Sequence, residues 1–256
     1  MIFKSFYNLT KSLSYNMYCK CLSYSYNINN FKNIYHFHIR KTGGSSINYM
    51  FLSLSGIKSD VLIEKLSKKY NHSLIINNQL YTGWNLDLLN KGNFYYGFSH
   101  YPFSLVKLKD STYSFTIFRD PAKRVLSHYN MLLGFTKNGI NHPCMTSEKN
   151  WVGKNFLEFL DRIPKNHLLN QLNMFSSTFD INEAVDNVNK LNNYFQLEDF
   201  DNCIKSLNKD LNLNLKKMHI KKSKFEYRIK DHEMNYLKDL LKEEYKFLSL
   251  IGFNYN

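Results

Sequence analysis

The stretch FHIRKTGGSSINYMF, residues 37–51, decides the fold class. Its apolar start belongs to a segment, residues 34–39, that predicts a buried strand, and its end predicts a helix over residues 45–54. A glycine pair between a strand and a helix lets the main chain turn tightly, and successive N–H groups then face inward at the positive end of the helix. This pattern is typical of an anion-binding turn.

The side chains around the glycine pair favour the same function. Lys41 adds a full positive charge, and hydroxyl groups follow it. Taken alone, the glycine pair also fits an ordinary strand-to-helix turn in which the serines cap the helix. The residues predicted to surround the anion are Arg40, Lys41, Thr42, Gly43, Gly44, Ser45 and Ser46.

A second motif, YSFTIFRDPAKRVLSHYNML, occupies residues 113–132. Its first half predicts a strand, and Asp120 and Pro121 are typical of the N-cap and first position of the helix that follows. Arg119 leaves the strand and Ser127 lies on the helix, so a forked guanidinium and a hydroxyl are placed to bind a phosphate together. In the alternative interpretation, Arg119 pairs with a carboxylate and Ser127 only packs.

The rest of the chain places strands between helices. Residues 94–98 and 194–197 are the other predicted strands, whereas residues 59–90 form a polar, helix-prone insertion. Strands separated by helices favour a parallel sheet with helices on both faces. We therefore expect an N-terminal extension, residues 1–30, followed by a single α/β domain over residues 31–256.

Composition indicates the class of partner. Lysine and arginine outnumber acidic residues by 34 to 21, and the resulting charge of +13 attracts phosphorylated cofactors, anionic glycans, nucleic acid or acidic membrane surfaces. Four scattered cysteines predict reduced thiols and a cytoplasmic protein. The sequence has no apolar run long enough to predict a membrane span, although a peripheral membrane role for the first 30 residues stays open.

Together the two motifs resemble the carbohydrate sulfotransferase family that includes the heparan sulfate 2-O- and 6-O-sulfotransferases. HIRKTGGSS is similar to the loop that binds the 5′-phosphosulfate, and FTIFRDPAKRVLSHY to the segment that binds the 3′-phosphate. Weaker similarity runs through YGFSHYPFSL, NQLNMF and HIKKSK. The chain departs from the family at Arg40, where relatives usually have proline, and at Ser45, which replaces a common threonine.

The resemblance implies a P-loop-kinase-like fold with a central parallel sheet flanked by helices. It implies 3′-phosphoadenosine 5′-phosphosulfate (PAPS) as the sulfuryl donor, no metal, and a saccharide, glycolipid or polysaccharide as acceptor. Lys41 is expected to stabilise the leaving phosphate, and His100, after the strand at residues 94–98, to act as the base. The resemblance also implies a basic loop that closes over the nucleotide, unless it is only a solvated charge run: Lys221, Lys222, Ser223 and Lys224.

Two other functions stay open at the level of sequence. A P-loop kinase or nucleotide hydrolase would bind ATP and magnesium, but its signature has lysine after the glycines, and here Lys41 precedes them. A nucleic-acid-binding module would follow from the net charge alone. The lysines are spread along the chain without a recognition motif, which argues against a specific nucleic-acid partner.

Overall fold

A computed structural model describes residues 26–68, 72–218 and 226–255 of the chain. Within these ranges the strands form one six-stranded sheet in the order β2-β3-β4-β1-β5-β6. Neighbouring strands are parallel, except that β2 and β3 are antiparallel. The strands are β1 (Asn33–Phe37), β2 (Ser73–Ile76), β3 (Gln79–Gly83), β4 (Tyr96–Ser99), β5 (Thr112–Phe118) and β6 (Asn193–Gln196).

Helices follow most strands and flank the sheet. The mixed α/β architecture expected from the sequence is therefore confirmed. The helices are α1 (Gly44–Ser53), α2 (Ser59–Lys68), α3 (Leu86–Lys91), α4 (Pro121–Lys137), α5 (Met145–Glu148), α6 (Phe156–Arg162), α7 (Lys165–Leu168), α8 (Asn170–Phe175), α9 (Ile181–Asn189), α10 (Phe200–Leu211), α11 (Asp231–Leu240) and α12 (Lys242–Leu250).

The hydrophobic core is divided by the sheet into two clusters. All five residues of β1 are buried, and successive side chains point to opposite faces. Tyr35 and Phe37 join the cluster that contains residues of α4, α8 and α12, whereas Ile34 joins the cluster that contains residues of α1 and α10. Burial on both faces explains why the central strands are almost continuously apolar rather than alternating.

The strands predicted at residues 34–39, 94–98 and 194–197 and the helix predicted at residues 45–54 are present, with bounds that differ by a few residues, but the insertion at residues 59–90 differs from its prediction. That segment contains α2 and α3, but it also contains the antiparallel hairpin β2–β3, which we did not predict. Asn77 and Asn78 form its two-residue turn with φ of 49° and 61°. Asparagine tolerates this left-handed conformation, and two such residues in succession are typical of a hairpin turn that matches the twist of its strands.

The segment before β1 packs on the sheet. The Tyr26 hydroxyl donates to the main-chain oxygen of Asn78 at 3.0 Å and accepts from the Leu80 N–H at 2.9 Å. Ile28 is buried. Residues 26–30 thus pack against the domain although they fall within the predicted extension, and residues 1–25 lie outside the described residues. In the described ranges, none of the helices combines the length and apolar character needed to span a bilayer.

A buried ion pair joins α4 to α12. The side chains of Arg124 and Glu244 are 1% and 0% exposed, and Arg124 Nε lies 3.4 Å from Glu244 Oε1. Arg124 also donates to the main-chain oxygens of His167 and Leu168. The Glu244 carboxylate accepts a hydrogen bond from the main-chain N–H of Gln171 at 3.0 Å. One buried charge pair therefore holds α4, α7, α8 and α12 together.

We predict that Arg124→Met lowers the free energy of unfolding by about 3–5 kcal/mol, because it leaves the Glu244 carboxylate buried without its cation. Urea denaturation measures the change. The matched control is Arg162→Met, which removes an ion pair on α6 whose partners are 50% and 31% exposed. Solvent screening limits that effect to about 1 kcal/mol or less. Equal effects of the two substitutions would contradict the prediction.

Candidate functional site

The carboxyl ends of three parallel strands bring the predicted site residues to one edge of the sheet. β1 lies between β4 and β5 and is parallel to both. Lys41 follows β1 through a short turn, His100 directly follows β4, and Arg119 directly follows β5. This edge is where parallel α/β sheets bind their ligands.

The glycine turn after β1 has a distinctive backbone. Lys41 and Gly43 have φ of 70° and 83°, both in the left-handed region. The Thr42 side chain is buried, and its hydroxyl donates to the main-chain oxygen of Ile39 at 3.0 Å. Gly43 is the N-cap of α1, and among the described residues no side chain caps this helix. The Ser46 N–H donates to the Gly43 carbonyl at 2.9 Å, so the N–H groups of Gly44 and Ser45 are the ones at this helix end that an anion could bind.

The two glycines of the turn are needed for different reasons. Gly43 has a positive φ, whereas Gly44 is confined by its neighbour. A Cβ atom on Gly44 would lie 2.0 Å from Cδ2 of His38, far inside contact distance. The His38 imidazole therefore packs directly against the turn and fills the space that a side chain at position 44 would need.

Lys41 reaches across the edge to α4. Its side chain is half-buried, and Nζ lies 3.5 Å from Sδ of Met131. Burial, together with the positive charges of Arg119 and Arg40, lowers the pKa of Lys41 to about 8. The ammonium group is still mostly protonated at neutral pH. An anion bound here would relieve the repulsion among these cations.

Arg119 contacts the glycine turn. Its Nη1 donates to the main-chain oxygen of Lys41 at 3.1 Å. Burial lowers the pKa of Arg119, and the nearby carboxylates of Glu198 and Asp120 oppose that shift. Ser127 lies one turn before Met131 on α4, so it is on the helix face that Lys41 reaches. The two predicted phosphate-binding segments are thus neighbours.

The guanidinium of Arg40 is paired with a carboxylate. Arg40 donates through Nη1 and Nη2 to the two oxygens of Glu148, on the short helix α5. His128 Nε2 lies 2.8 Å from the same carboxylate. Burial acts to raise the pKa of Glu148, but hydrogen bonds from His128 and Arg40 lower it to about 2, so Glu148 stays ionised. No local sequence pattern indicates Glu148, because its partner Arg40 lies 108 residues away along the chain.

His100 directly follows β4, at the same sheet edge as the glycine turn. The residue is exposed to solvent, although many protein atoms lie around its ring. Its Nδ1 lies 2.5 Å from the main-chain oxygen of His38. A carbonyl only accepts, so Nδ1 carries the hydrogen and Nε2 keeps a free lone pair. Burial lowers the pKa of His100 to about 4, so the ring is neutral at pH 7 and able to take a proton.

A buried hydrogen-bond network supports the His38 ring. Asn48 of α1 donates through Nδ2 to Nδ1 of His38 at 3.3 Å. The Asn48 oxygen accepts from the Tyr96 hydroxyl at 2.7 Å and lies 3.0 Å from Nδ1 of His36. The His38 ring centroid is 4.5 Å from that of His100. His38 therefore connects the glycine turn to His100.

Aromatic side chains lie beside His100. The Trp84 ring, just after β3, is 6.2 Å from the His100 ring between centroids. The Tyr101 hydroxyl donates to the main-chain oxygen of Trp84 at 3.1 Å, which fixes the two residues together. Phe103 instead stacks on Phe37 of the core, with 5.5 Å between ring centroids. Trp84 and Tyr101 are therefore the aromatic residues that lie beside His100.

The predicted basic loop lies outside the described residues: Lys221, Lys222, Ser223 and Lys224. Within the described ranges, the structure has no group of three histidine, cysteine, aspartate or glutamate side chains arranged to hold a metal ion. No protein-family model and no curated protein matches this chain. The positions of the chain's own residues are therefore the structural evidence that bears on its function.

We predict that Gly44→Ala lowers the free energy of unfolding by about 1–3 kcal/mol, because the new methyl group collides with the His38 ring. In a His38→Ala background the same substitution should have little effect, because the space is then free. Thermal unfolding of the four proteins measures both changes, and Ser45→Ala, at the exposed neighbour, is the control. Equal destabilisation in both backgrounds would show that the steric explanation is wrong.

Proposed function

We propose that this chain is a PAPS-dependent sulfotransferase with a P-loop-kinase-like fold, acting on a hydroxyl group of a saccharide or glycoconjugate. The contact between Arg119 Nη1 and the main-chain oxygen of Lys41, at 3.1 Å, is the observation that supports this most. PAPS carries anionic groups at both its 5′ and 3′ positions. Two adjacent cationic segments at one sheet edge suit a donor of that kind.

Each segment has groups that match one end of the donor. The uncapped N-terminus of α1 and the Lys41 ammonium suit the 5′-phosphosulfate, because helix N–H groups and a point charge both stabilise an oxyanion. The Arg119 guanidinium and the Ser127 hydroxyl suit the 3′-phosphate, because the forked guanidinium binds two oxygens at once. The Arg40 guanidinium is paired with Glu148, and the Arg40 main-chain N–H donates to Asn170 Oδ1 at 3.3 Å, so we leave Arg40 out of the proposed donor site.

The reaction would proceed by in-line displacement at sulfur. The acceptor oxygen forms a new bond to sulfur while the bond from sulfur to the 5′-phosphate oxygen breaks, and the electron pair leaves with that oxygen. Lys41 stabilises the developing negative charge, which is worth about 3 kcal/mol for a typical oxyanion donor. Nε2 of His100 takes the proton from the acceptor hydroxyl, because its lone pair is free.

The aromatic side chains beside His100 suit a saccharide acceptor. The Trp84 ring stands 6.2 Å from the His100 ring, and the Tyr101 hydroxyl fixes the Trp84 main chain. Flat aromatic rings stack on the C–H faces of sugars, so a sugar ring beside Trp84 would present its hydroxyl groups near His100. We therefore propose a saccharide or glycoconjugate as the acceptor.

We predict that 3′-phosphoadenosine 5′-phosphate (PAP) raises the thermal unfolding temperature of the chain without magnesium. A ligand at about 100 times its Kd stabilises the folded state by about 2.7 kcal/mol. The shift should disappear in Lys41→Ala and in Arg119→Ala, and it should persist in Lys238→Ala, which removes an exposed lysine on α11. A shift seen only with ATP and magnesium would instead indicate a kinase or nucleotide hydrolase.

We also predict a bell-shaped pH dependence of kcat/KM for transfer from PAPS to desulfated heparan oligosaccharides. The rate should rise through pH about 4 as His100 loses its proton, and fall above pH about 8 as Lys41 loses its own. His100→Ala should keep PAP binding, lower the rate by about 10²–10⁴ and remove the acid limb. Unchanged turnover in this variant would exclude His100 as the base.

A further inference from the structure

The side-chain amide of Gln171 pairs with both main-chain groups of Arg119. The Arg119 N–H donates to Gln171 Oε1 at 2.8 Å, and Gln171 Nε2 donates to the Arg119 carbonyl at 2.9 Å. This reciprocal pairing is what a residue on a neighbouring strand would supply. Gln171 itself lies on α8 and is fully buried.

Arg119 needs such a partner because it lies past the paired part of the sheet. β1 pairs with β5 only as far as Thr116, and β6 only as far as Phe118. Main-chain N–H and C=O groups that leave a strand in a buried region require other partners. Gln171 therefore extends the hydrogen bonding of β5 by one residue, and that residue is the arginine of the predicted phosphate site.

The buried carboxylate of Glu244 determines how the Gln171 amide is oriented. Gln171 Nε2 donates to Glu244 Oε1 at 2.9 Å, and the Gln171 main-chain N–H donates to Oε2 at 3.0 Å. A flipped amide would place its oxygen against the carboxylate in a site that excludes water, which is strongly unfavourable. The orientation that satisfies Glu244 is also the only one that satisfies both groups of Arg119.

We propose that Gln171, oriented by Glu244, is a positioning residue that sets where the Arg119 guanidinium stands for the 3′-phosphate of the donor. This inference rests on the proposed function. Gln171 has no direct role toward the nucleotide and acts through the main chain of Arg119. Its contribution should therefore appear only for ligands that carry the 3′-phosphate.

The experiment measures the Kd of two nucleotides by calorimetry. One is PAP, and the other is adenosine 5′-phosphate, which lacks only the 3′-phosphate. We expect Gln171→Met to weaken PAP binding about tenfold and to leave the binding of adenosine 5′-phosphate unchanged, because a displaced guanidinium loses one charge-assisted hydrogen bond. Arg119→Ala should remove the preference for PAP in the same way.

A matched control separates this effect from a general loss of stability. Asn33→Leu also removes a buried amide that bonds two main-chain groups, the carbonyls of Gly92 and Phe94 at 2.7 Å each, at the opposite edge of the sheet. It should lower the unfolding temperature without changing either Kd. Gln171→Asn, whose amide is one methylene too short to reach Arg119, is the second variant if Gln171→Met does not fold.

Three outcomes would contradict, respectively, the role of Gln171, the assignment of Arg119 to the 3′-phosphate, and the proposed function. If Gln171→Met and Gln171→Asn weaken both nucleotides equally, or weaken neither, Gln171 does not position Arg119. If the unaltered chain binds PAP no better than adenosine 5′-phosphate, the assignment of Arg119 to a 3′-phosphate is wrong. If it binds neither nucleotide, the proposed function itself fails, and the two kinds of failure are thereby distinguished.

Discussion

The packing of the helices depends on one interaction, the buried ion pair between Glu244 and Arg124. A carboxylate removed from water must be paired and hydrogen-bonded, and here Arg124 supplies the charge while the start of α8 supplies N–H groups. Residues of α4, α7, α8 and α12 consequently meet around this ion pair. The Gln171 amide bonds both the Glu244 carboxylate and the Arg119 main chain, so the position of Arg119 at the end of β5 depends on that of Glu244.

The edge of the sheet concentrates positive charge before any ligand is present. Lys41 and Arg119 both have lowered pKa values because burial disfavours their charged forms. The folded chain keeps these cations close together, held by main-chain contacts and the tight turn. Under the proposed function, a site organised in this way would not have to rearrange when the anionic donor binds, because its positive groups are already in place.

Sequence patterns predicted the central strands and the helices after the two motifs, because strand periodicity, the glycine pair and the Asp120 cap are local signals. The hairpin was missed because its turn uses two asparagines rather than glycine. The roles of Glu148, Gln171 and Glu244 could not be assigned, although NQLNMF contains Gln171, since their partners lie 108, 52 and 73 residues away along the chain. Tertiary packing decides which carboxylate or amide occupies a buried position. Such a choice produces no local pattern in the amino-acid sequence.

The outermost strands of the sheet carry a consequence for the behaviour of the protein in concentrated solution. β2 and β6 lie at the two ends of the strand order and are only four residues long. An edge strand this short has few unpaired main-chain N–H and C=O groups. A strand of a second molecule could therefore form only a few hydrogen bonds with it. The wide, strongly apolar centre of the sheet is in this way shielded from edge-to-edge aggregation.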